Sequence, residues 1–149
     1  MGKFETIADA KEYFRQIRKE QNEIRVLQNN IHSKELSLLP SGIRYDKDKV
    51  QVSGTGDVMV EKAAVIAEYR KELDESTVRL LERKAEAERL LRTLKDADER
   101  EVMRYYYMRP EDGYLLTWEQ VAIRMNYYKR HVLRIHGNAL AHLVNDGTK

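Results

Sequence analysis

The sequence predicts an all-α protein in which a long antiparallel helical hairpin, coiled-coil-like and spanning residues 1–95, precedes a small C-terminal helix-turn-helix domain, residues 96–149. Three observations predict this fold. Apolar residues recur every seven positions along two long segments, and a segment rich in helix breakers, residues 40–57, separates them. Near the C-terminus, two shorter amphipathic stretches meet at an asparagine. A content of 35% charged residues with only seven glycines and two prolines is typical of long solvent-exposed helices.

The first long helix is predicted over residues 6–39. Its intervening core positions include two polar residues, Glu20 and Lys34, so the seam is weaker than that of an ideal zipper. Polar residues inside a seam can specify the register of helix pairing at a cost in stability. The heptad positions are Ala10, Ile17, Ile24, Ile31 and Leu38, with Tyr13 and Leu27 between them.

The second long helix is predicted from about residue 57 to residue 95. At a rise of about 1.5 Å per residue, each long helix would be on the order of 50 Å in length. One pair of helices buries one seam on each, so we expect this arm to bind a second copy of the chain or another protein. The alternative is that both helices fold back on the C-terminal helices. The heptad positions are Met59, Ile66, Leu73, Leu80, Ala87 and Leu94, supported by Tyr69 and Leu90.

The segment between the long helices, residues 40–57, is predicted to be a connector. It is long enough to let the second helix return antiparallel to the first. Apolar and polar residues nearly alternate within it, so a short hairpin or an extended strand is possible. Its glycines are not followed by Gly-Lys-Ser or Gly-Lys-Thr, which excludes a phosphate-binding loop of that kind. The alternating apolar residues are Ile43, Tyr45, Val50 and Val52.

Three consecutive tyrosines, residues 105–107, lie in a further predicted helix that ends before Pro110 and Gly113. Such a cluster could stack on nucleic-acid bases. However, consecutive residues of a helix cannot all face one way. We therefore expect one or two of the tyrosines to pack in the core and the third to lie near the surface.

The next helix has a start signal and a stop signal. Thr117 can cap its N-terminus, and Gln120 three residues later completes a capping box. Asn126 follows the last apolar residue of the helix, where asparagine tolerates the left-handed conformation of a tight turn. The apolar face of this helix carries Trp118, Val121, Ala122 and Met125, spaced at i, i+3, i+4 and i+7.

The last helix, predicted over about residues 128–143, has one apolar and one basic face. No acidic residue occurs from residue 126 to residue 143, although the chain as a whole has a formal net charge of only +2. Such a local cationic surface suits a polyanion. The alternative is a helical pair that only packs or binds protein. The apolar stripe is Val132, Ile135, Ala139 and Leu143; the opposite side carries Arg130, Arg134, Asn138 and Ala141, with Lys129 and Leu133 at its edge.

These two helices resemble the helix-turn-helix of bacterial sigma-factor region four. The likeness covers about the last third of the chain. It extends upstream through Leu94, Asp98, Glu99, Arg100, Val102 and the Tyr105-Tyr106-Tyr107 run, and downstream to the Ile135-His136-x-x-Ala139-Leu140-x-x-Leu143 ending. The resemblance implies that residues early in the second helix contact the major groove of a promoter. Two departures from the family are Tyr128, which replaces the usual Ser or Thr cap, and Gly137, which lies within the helix. The implied DNA-binding residues are Tyr128, Lys129, Arg130, Leu133 and Arg134.

The whole chain also resembles small phage and prophage regulators of the ArpU/RinA type. The resemblance rests on the Leu39-Pro40-Ser41-Gly42-Ile43 entry to the connector, the long helix after it, and the tyrosine-rich approach to Trp118-Glu119-Gln120-Val121-Ala122. It implies a sequence-specific double-stranded DNA-binding protein that regulates transcription, with host RNA polymerase as a possible partner and the arm as a site of homo-oligomerisation. Two alternatives are a phage packaging subunit similar to a small terminase and a protein-interaction module.

Other classes of function find no support in the residues. The chain has no cysteine, so neither disulfides nor thiolate metal sites are available. The helical spacing of His131, His136 and His142 does not bring them together, so we expect no metal or cofactor and interpret them as surface or groove-lining side chains. No catalytic constellation can be assembled, no apolar run is long enough for a membrane span and no signal peptide is apparent. We expect a cytoplasmic protein that is not an enzyme.

Overall fold

The computed structural model describes residues 3–38 and 52–145, and the side chains of these residues except 52–57 and 145. The described residues form α-helices and no strand, apart from an isolated bridge between Glu111 and Tyr114. The predicted all-α class is therefore confirmed. Among the described helices, none combines the length and the apolarity that a membrane span needs. The helices are α1 (Ile7–Leu36), α2 (Val52–Leu91), α3 (Ala97–Met108), α4 (Trp118–Met125) and α5 (Lys129–Asn145).

The bounds of α2 differ from the predicted ones at both ends. The helix begins at Val52, not near residue 57, so Gly54 and Gly56 lie within it. A glycine inside a helix costs up to about 1 kcal/mol but does not forbid the helix. At the other end α2 stops at Leu91, and the backbone amide of Leu94 donates to the Leu91 carbonyl in a tight turn. The rest of the predicted connector, residues 40–51 with the possible strand or hairpin, lies outside the described residues.

The chain divides into two compact units. Unit 1 contains the residues up to Glu23 and from Val78 onward, and unit 2 contains Ile24–Thr77. This division does not follow the boundary that we predicted near residue 95. Within unit 1, residues of the first half of α1 and of the end of α2 contact α3.

Within unit 1, two residues of α1 contact the last turn of α3. Phe14 is fully buried, and its ring centroid lies 5.5 Å from that of Tyr107. The side-chain amide of Gln21 donates to the Tyr107 carbonyl at 2.5 Å. From α2, Glu88 accepts two hydrogen bonds from the guanidinium of Arg104 in α3. The two contacts of α1 join segments that are far apart in the sequence.

The core of unit 1 also contains the residues that the helical spacing predicts. Tyr107 is buried, which confirms that at least one of the three tyrosines packs in the core, whereas Tyr105 and Tyr106 are partly buried against it. All four residues of the α5 stripe are buried, as predicted. One cluster at the junction of α3, α4 and α5 consists of Val102, Leu116, Val121, Ala122, Val132 and Ile135, with Tyr105, Tyr106, Trp118, Met125 and Tyr127 packed against it.

Unit 2 holds the second half of α1 and the middle of α2. Ile31 and Ile66 are both buried, as their heptad positions predict. Glu35 and Arg70 form an ion pair beside them. Met59, the first heptad position predicted for α2, has a side chain that is 43% exposed in the single chain. In unit 2, Tyr69 and Arg70 of α2 contact Lys34 and Glu35 of α1. Met59 lies about three helical turns before Arg70, beyond these contacts.

Candidate nucleic-acid interface

The turn between α4 and α5 is built by short-range hydrogen bonds at both ends of α4. Thr117 Oγ1 accepts from the Gln120 backbone amide at 3.2 Å, and Gln120 Oε1 accepts from the Thr117 backbone amide at 2.8 Å. This confirms the predicted capping box. Asn126 adopts the left-handed conformation, with φ 65° and ψ 38°, and its amide donates to the carbonyls of Ala122 and Ile123. α4 therefore ends at the predicted asparagine, and α5 starts at Lys129.

Burial holds α5 against the other helices, and a hydrogen bond of Tyr127 ties down the turn that precedes it. Val132 and Ile135 are buried beside Val121 of α4. The hydroxyl of Tyr127, just before α5, donates to Asp98 Oδ2 at 2.5 Å, and this hydrogen bond raises the pKa of Tyr127. Asp98 lies in the first turn of α3, so the turn is tied to that helix as well.

The five predicted DNA-binding residues are all exposed on one side of the α4–α5 pair. Tyr128 is 87% exposed and Leu133 39%. Lys129, Arg130 and Arg134 are also exposed. The structure brings three of the five together, because Tyr128, Arg130 and Arg134 line one open depression of about 430 Å³ with His131. Lys129 and Leu133 do not line it.

A second open depression, of about 530 Å³, adjoins the first on the side of α4. It shares Tyr128 and His131 with the first depression and adds Ile123, whose side chain is 69% exposed. The ring of His131 packs edge-on against that of Tyr127, with centroids 4.6 Å apart. Together the two depressions form a surface that is aromatic and apolar near the turn and basic along α5.

The cations of this surface differ in their partners. Lys129 Nζ lies 2.8 Å from Glu119 Oε2, and this hydrogen bond is the main reason that the pKa of Glu119 is lowered. Among the described residues, no carboxylate pairs with Arg130 or Arg134. Residues 126–143 contain no acidic residue, but Glu119 of α4 lies next to the start of this stretch in the folded protein. The sequence pattern alone does not reveal this contact. Within residues 3–38 and 52–145, the guanidinium groups of Arg130 and Arg134, one helical turn apart, are thus exposed without a carboxylate partner.

The interpretation of the histidines as surface or groove-lining residues is wrong for His136. Its side chain is buried, and its Nε2 lies 2.7 Å from the hydroxyl oxygen of Tyr107. Burial, assisted by the charge of Lys11, lowers the pKa of His136 to about 4. His131 does line both depressions, and the exposed His142 has its Nδ1 2.9 Å from Glu99 Oε1. In the part of the chain that the structure describes, no three metal-ligating side chains form a cluster.

Unit 1 also contains an aromatic stack that the sequence pattern did not predict. The rings of Tyr106 and Trp118 are stacked at 3.6 Å with an interplanar angle of 6°. The guanidinium carbon of Arg18 lies 3.8 Å from the Tyr106 ring centroid, and burial lowers the pKa of this arginine. The Trp118 ring also contacts His136, with centroids 4.6 Å apart. The stack therefore connects α1, α3, α4 and α5.

The two departures from the sigma-like pattern leave α5 intact. Tyr128 contributes its carbonyl, which accepts from the Val132 amide at 3.1 Å, while its side chain is exposed to solvent. Gly137 lies on the exposed side of α5, and a Cβ added there would have no neighbour within 4 Å. Comparison of the chain with protein-family models, with curated proteins and with solved structures gave no match.

Proposed function

We propose that the protein binds double-stranded DNA in a sequence-specific manner and regulates phage or prophage transcription, without catalysing a reaction. The observation that carries this proposal is the exposure of Arg130 and Arg134 one turn apart on α5, with no carboxylate partner among the described residues. The major groove admits an α-helix, and arginine is the most common side chain to contact guanine there. Either arginine can instead hold a phosphate.

The proposed binding mode is that of a helix-turn-helix. α4 would cross the DNA backbone while α5, about residues 128–143, lies in the major groove. In this mode Tyr128, Lys129, Arg130, Leu133 and Arg134 face the DNA. The apolar side chain of Leu133 suits a thymine methyl group, whereas Lys129 suits a phosphate. The short turn at Asn126 supports the proposal because it joins two helices in direct succession, as in a helix-turn-helix.

We also propose that α1 and α2 form an antiparallel hairpin that mediates homo-oligomerisation or contact with host RNA polymerase. Support comes from the buried heptad residues Ile31 and Ile66 and from the ion pair between Glu35 and Arg70. The exposed side chains of Met59 and Val60 offer apolar surface to a partner. A protein of this kind would act in the cytoplasm.

The proposal is tested by selection from a pool of random DNA duplexes at two salt concentrations, followed by sequencing of the retained DNA. A sequence-specific regulator enriches one motif, and its affinity falls steeply as the salt concentration rises. The matched control is a variant that carries both Arg130→Ala and Arg134→Ala, which should enrich no motif. Retention without a motif, equal for the wild type and this variant, would contradict the proposal.

A protein-interaction role is the second candidate. Ile123 and Tyr128 are highly exposed beside the basic residues of α5, and such a surface also suits an acidic protein partner. This role predicts no salt-dependent affinity for duplex DNA. A packaging subunit similar to a small terminase is a further alternative, and a closed ring in solution would favour it over a dimer bound at one site.

A further inference from the structure

An ion pair joins the starts of the two helices that we propose to face DNA. Glu119 lies in the first turn of α4 and Lys129 is the first residue of α5, and their charged atoms are 2.8 Å apart. We infer that Glu119 limits the affinity of the protein for DNA by holding Lys129 away from the phosphates. This inference rests on the proposed function, because it concerns the same surface.

Lys129 is placed where a phosphate contact is expected. It directly precedes Arg130 on the exposed side of α5, and its side chain is 49% exposed. A lysine ammonium is a compact point charge that binds phosphate without the planar geometry of arginine. A free Lys129 would therefore add one phosphate contact of low sequence specificity.

The ionised form of Glu119 is favoured by its position at the start of α4. Its pKa is lowered by the hydrogen bond from Lys129 and, to a smaller extent, by hydrogen bonds from its own backbone amide and from Thr117. A carboxylate is also favoured at the positive N-terminal end of a helix. Glu119 is therefore ionised at neutral pH and lies within reach of Lys129 in the folded protein.

A phosphate must compete with this carboxylate for Lys129. The competition is possible because exposed ion pairs gain little in water and are weakened by salt. The ion pair nevertheless reduces DNA affinity, because Glu119 neutralises the charge of Lys129 and places a carboxylate near the DNA backbone. Arg130 and Arg134 have no such partner among the described residues, so contacts from these two arginines are favoured over a contact from Lys129.

The test measures the binding of the full-length protein to a short duplex of random sequence at low salt. The Glu119→Gln variant keeps a similar shape, and its Kd should fall roughly threefold to tenfold. This gain should shrink as the salt concentration rises, because salt screens exposed charges. Glu82→Gln is the matched control, since it removes the same charge from an exposed residue of α2 and should leave the Kd nearly unchanged.

A double-variant comparison separates an effect through Lys129 from a general effect of charge. Once Lys129→Gln has removed the cation, adding Glu119→Gln should still remove one anion near the DNA backbone, but the gain in affinity should be clearly smaller than in the wild-type background. An undiminished gain in that background would overturn the inference, as would an unchanged Kd in the Glu119→Gln single variant. In both cases DNA binding by the wild type would leave the proposed function standing. If the wild type retained no DNA at any salt concentration, both the proposed function and this inference would be wrong.

Discussion

The hydroxyl oxygen of Tyr107 and the Nε2 atom of His136 lie 2.7 Å apart in the core of unit 1, where both side chains are buried. The contact links the end of α3 to the middle of α5. One of the two groups donates the shared hydrogen, and burial both raises the pKa of Tyr107 and lowers that of His136. The neutral forms of both side chains are thus favoured in the folded protein.

Tyr107→Phe should lower the free energy of unfolding by about 1–3 kcal/mol, because it leaves a ring nitrogen of His136 buried without its partner. Urea denaturation followed by circular dichroism would measure the loss. Combining Tyr107→Phe with His136→Leu provides the control. The added cost of Tyr107→Phe should nearly disappear in that background, and full additivity of the two changes would show that the hydrogen bond does not stabilise the fold.

The protein should lose stability in mild acid through His136. The unfolded imidazole takes up a proton as the pH falls through about 6.5, whereas the folded one stays neutral until its pKa of about 4. The stabilising contribution is therefore complete above about pH 6.5 and is lost between that value and about pH 4, with a total near 3 kcal/mol. Lys11 opposes protonation of the folded form as well.

The measurement is urea unfolding of the wild type and of His136→Gln at about pH 7.5 and about pH 5. Glutamine does not titrate, so the stability advantage of the wild type over the variant should shrink by about 2 kcal/mol on acidification. Carboxylates common to both proteins cancel in this difference. An advantage that stayed constant across the two pH values would mean that His136 titrates alike in the folded and unfolded chains.

Asn126 should be replaceable by glycine but not by alanine. Its φ of 65° lies in the left-handed region, which costs a residue with a Cβ roughly 1–2 kcal/mol unless it is asparagine or aspartate. Asn126→Ala should therefore lower the free energy of unfolding by about 1 kcal/mol, whereas Asn126→Gly should change it by only a few tenths. Equal losses in both variants, measured by thermal denaturation, would indicate that the side-chain amide matters more than the backbone conformation.

Arg130→Ala or Arg134→Ala should each weaken binding to the selected DNA motif by about 1–3 kcal/mol if the side chain contacts a base. A side chain that only holds a phosphate should weaken binding to all duplexes alike and lower the salt dependence by about one unit. Arg92→Ala, at an exposed position after α2, controls for the loss of one positive charge. Unchanged affinity in both α5 variants would show that this side of α5 does not face DNA.

Local signals in the sequence predict the α4–α5 region well. Thr117, Gln120 and Asn126 act on backbone groups within a few residues of themselves, so their types and spacing suffice to place the two ends of α4. The buried face of α5 follows from the helical repeat in the same way, as Val132 and Ile135 demonstrate. Such features depend on short stretches of chain, and a single sequence contains all the information needed to infer them.

Contacts between distant segments could not be predicted in this way. Gln21 donates to a carbonyl 86 residues away, and Arg18 to one 88 residues away. A helical repeat indicates which side of a helix is buried, but it does not identify the helix that covers it. For that reason the division into two units, the burial of His136 and the ion pair between Glu119 and Lys129 were not predicted.

The stacked pair of Tyr106 and Trp118 gives the protein a natural optical probe. Trp118 is the only tryptophan of the chain, so tryptophan emission reports the surroundings of this one stack in unit 1. Far-ultraviolet circular dichroism, in contrast, sums over the helices of both units. If the two signals follow one unfolding curve, the units unfold together; if the curves separate, each unit has a stability of its own that can be measured without labelling the protein.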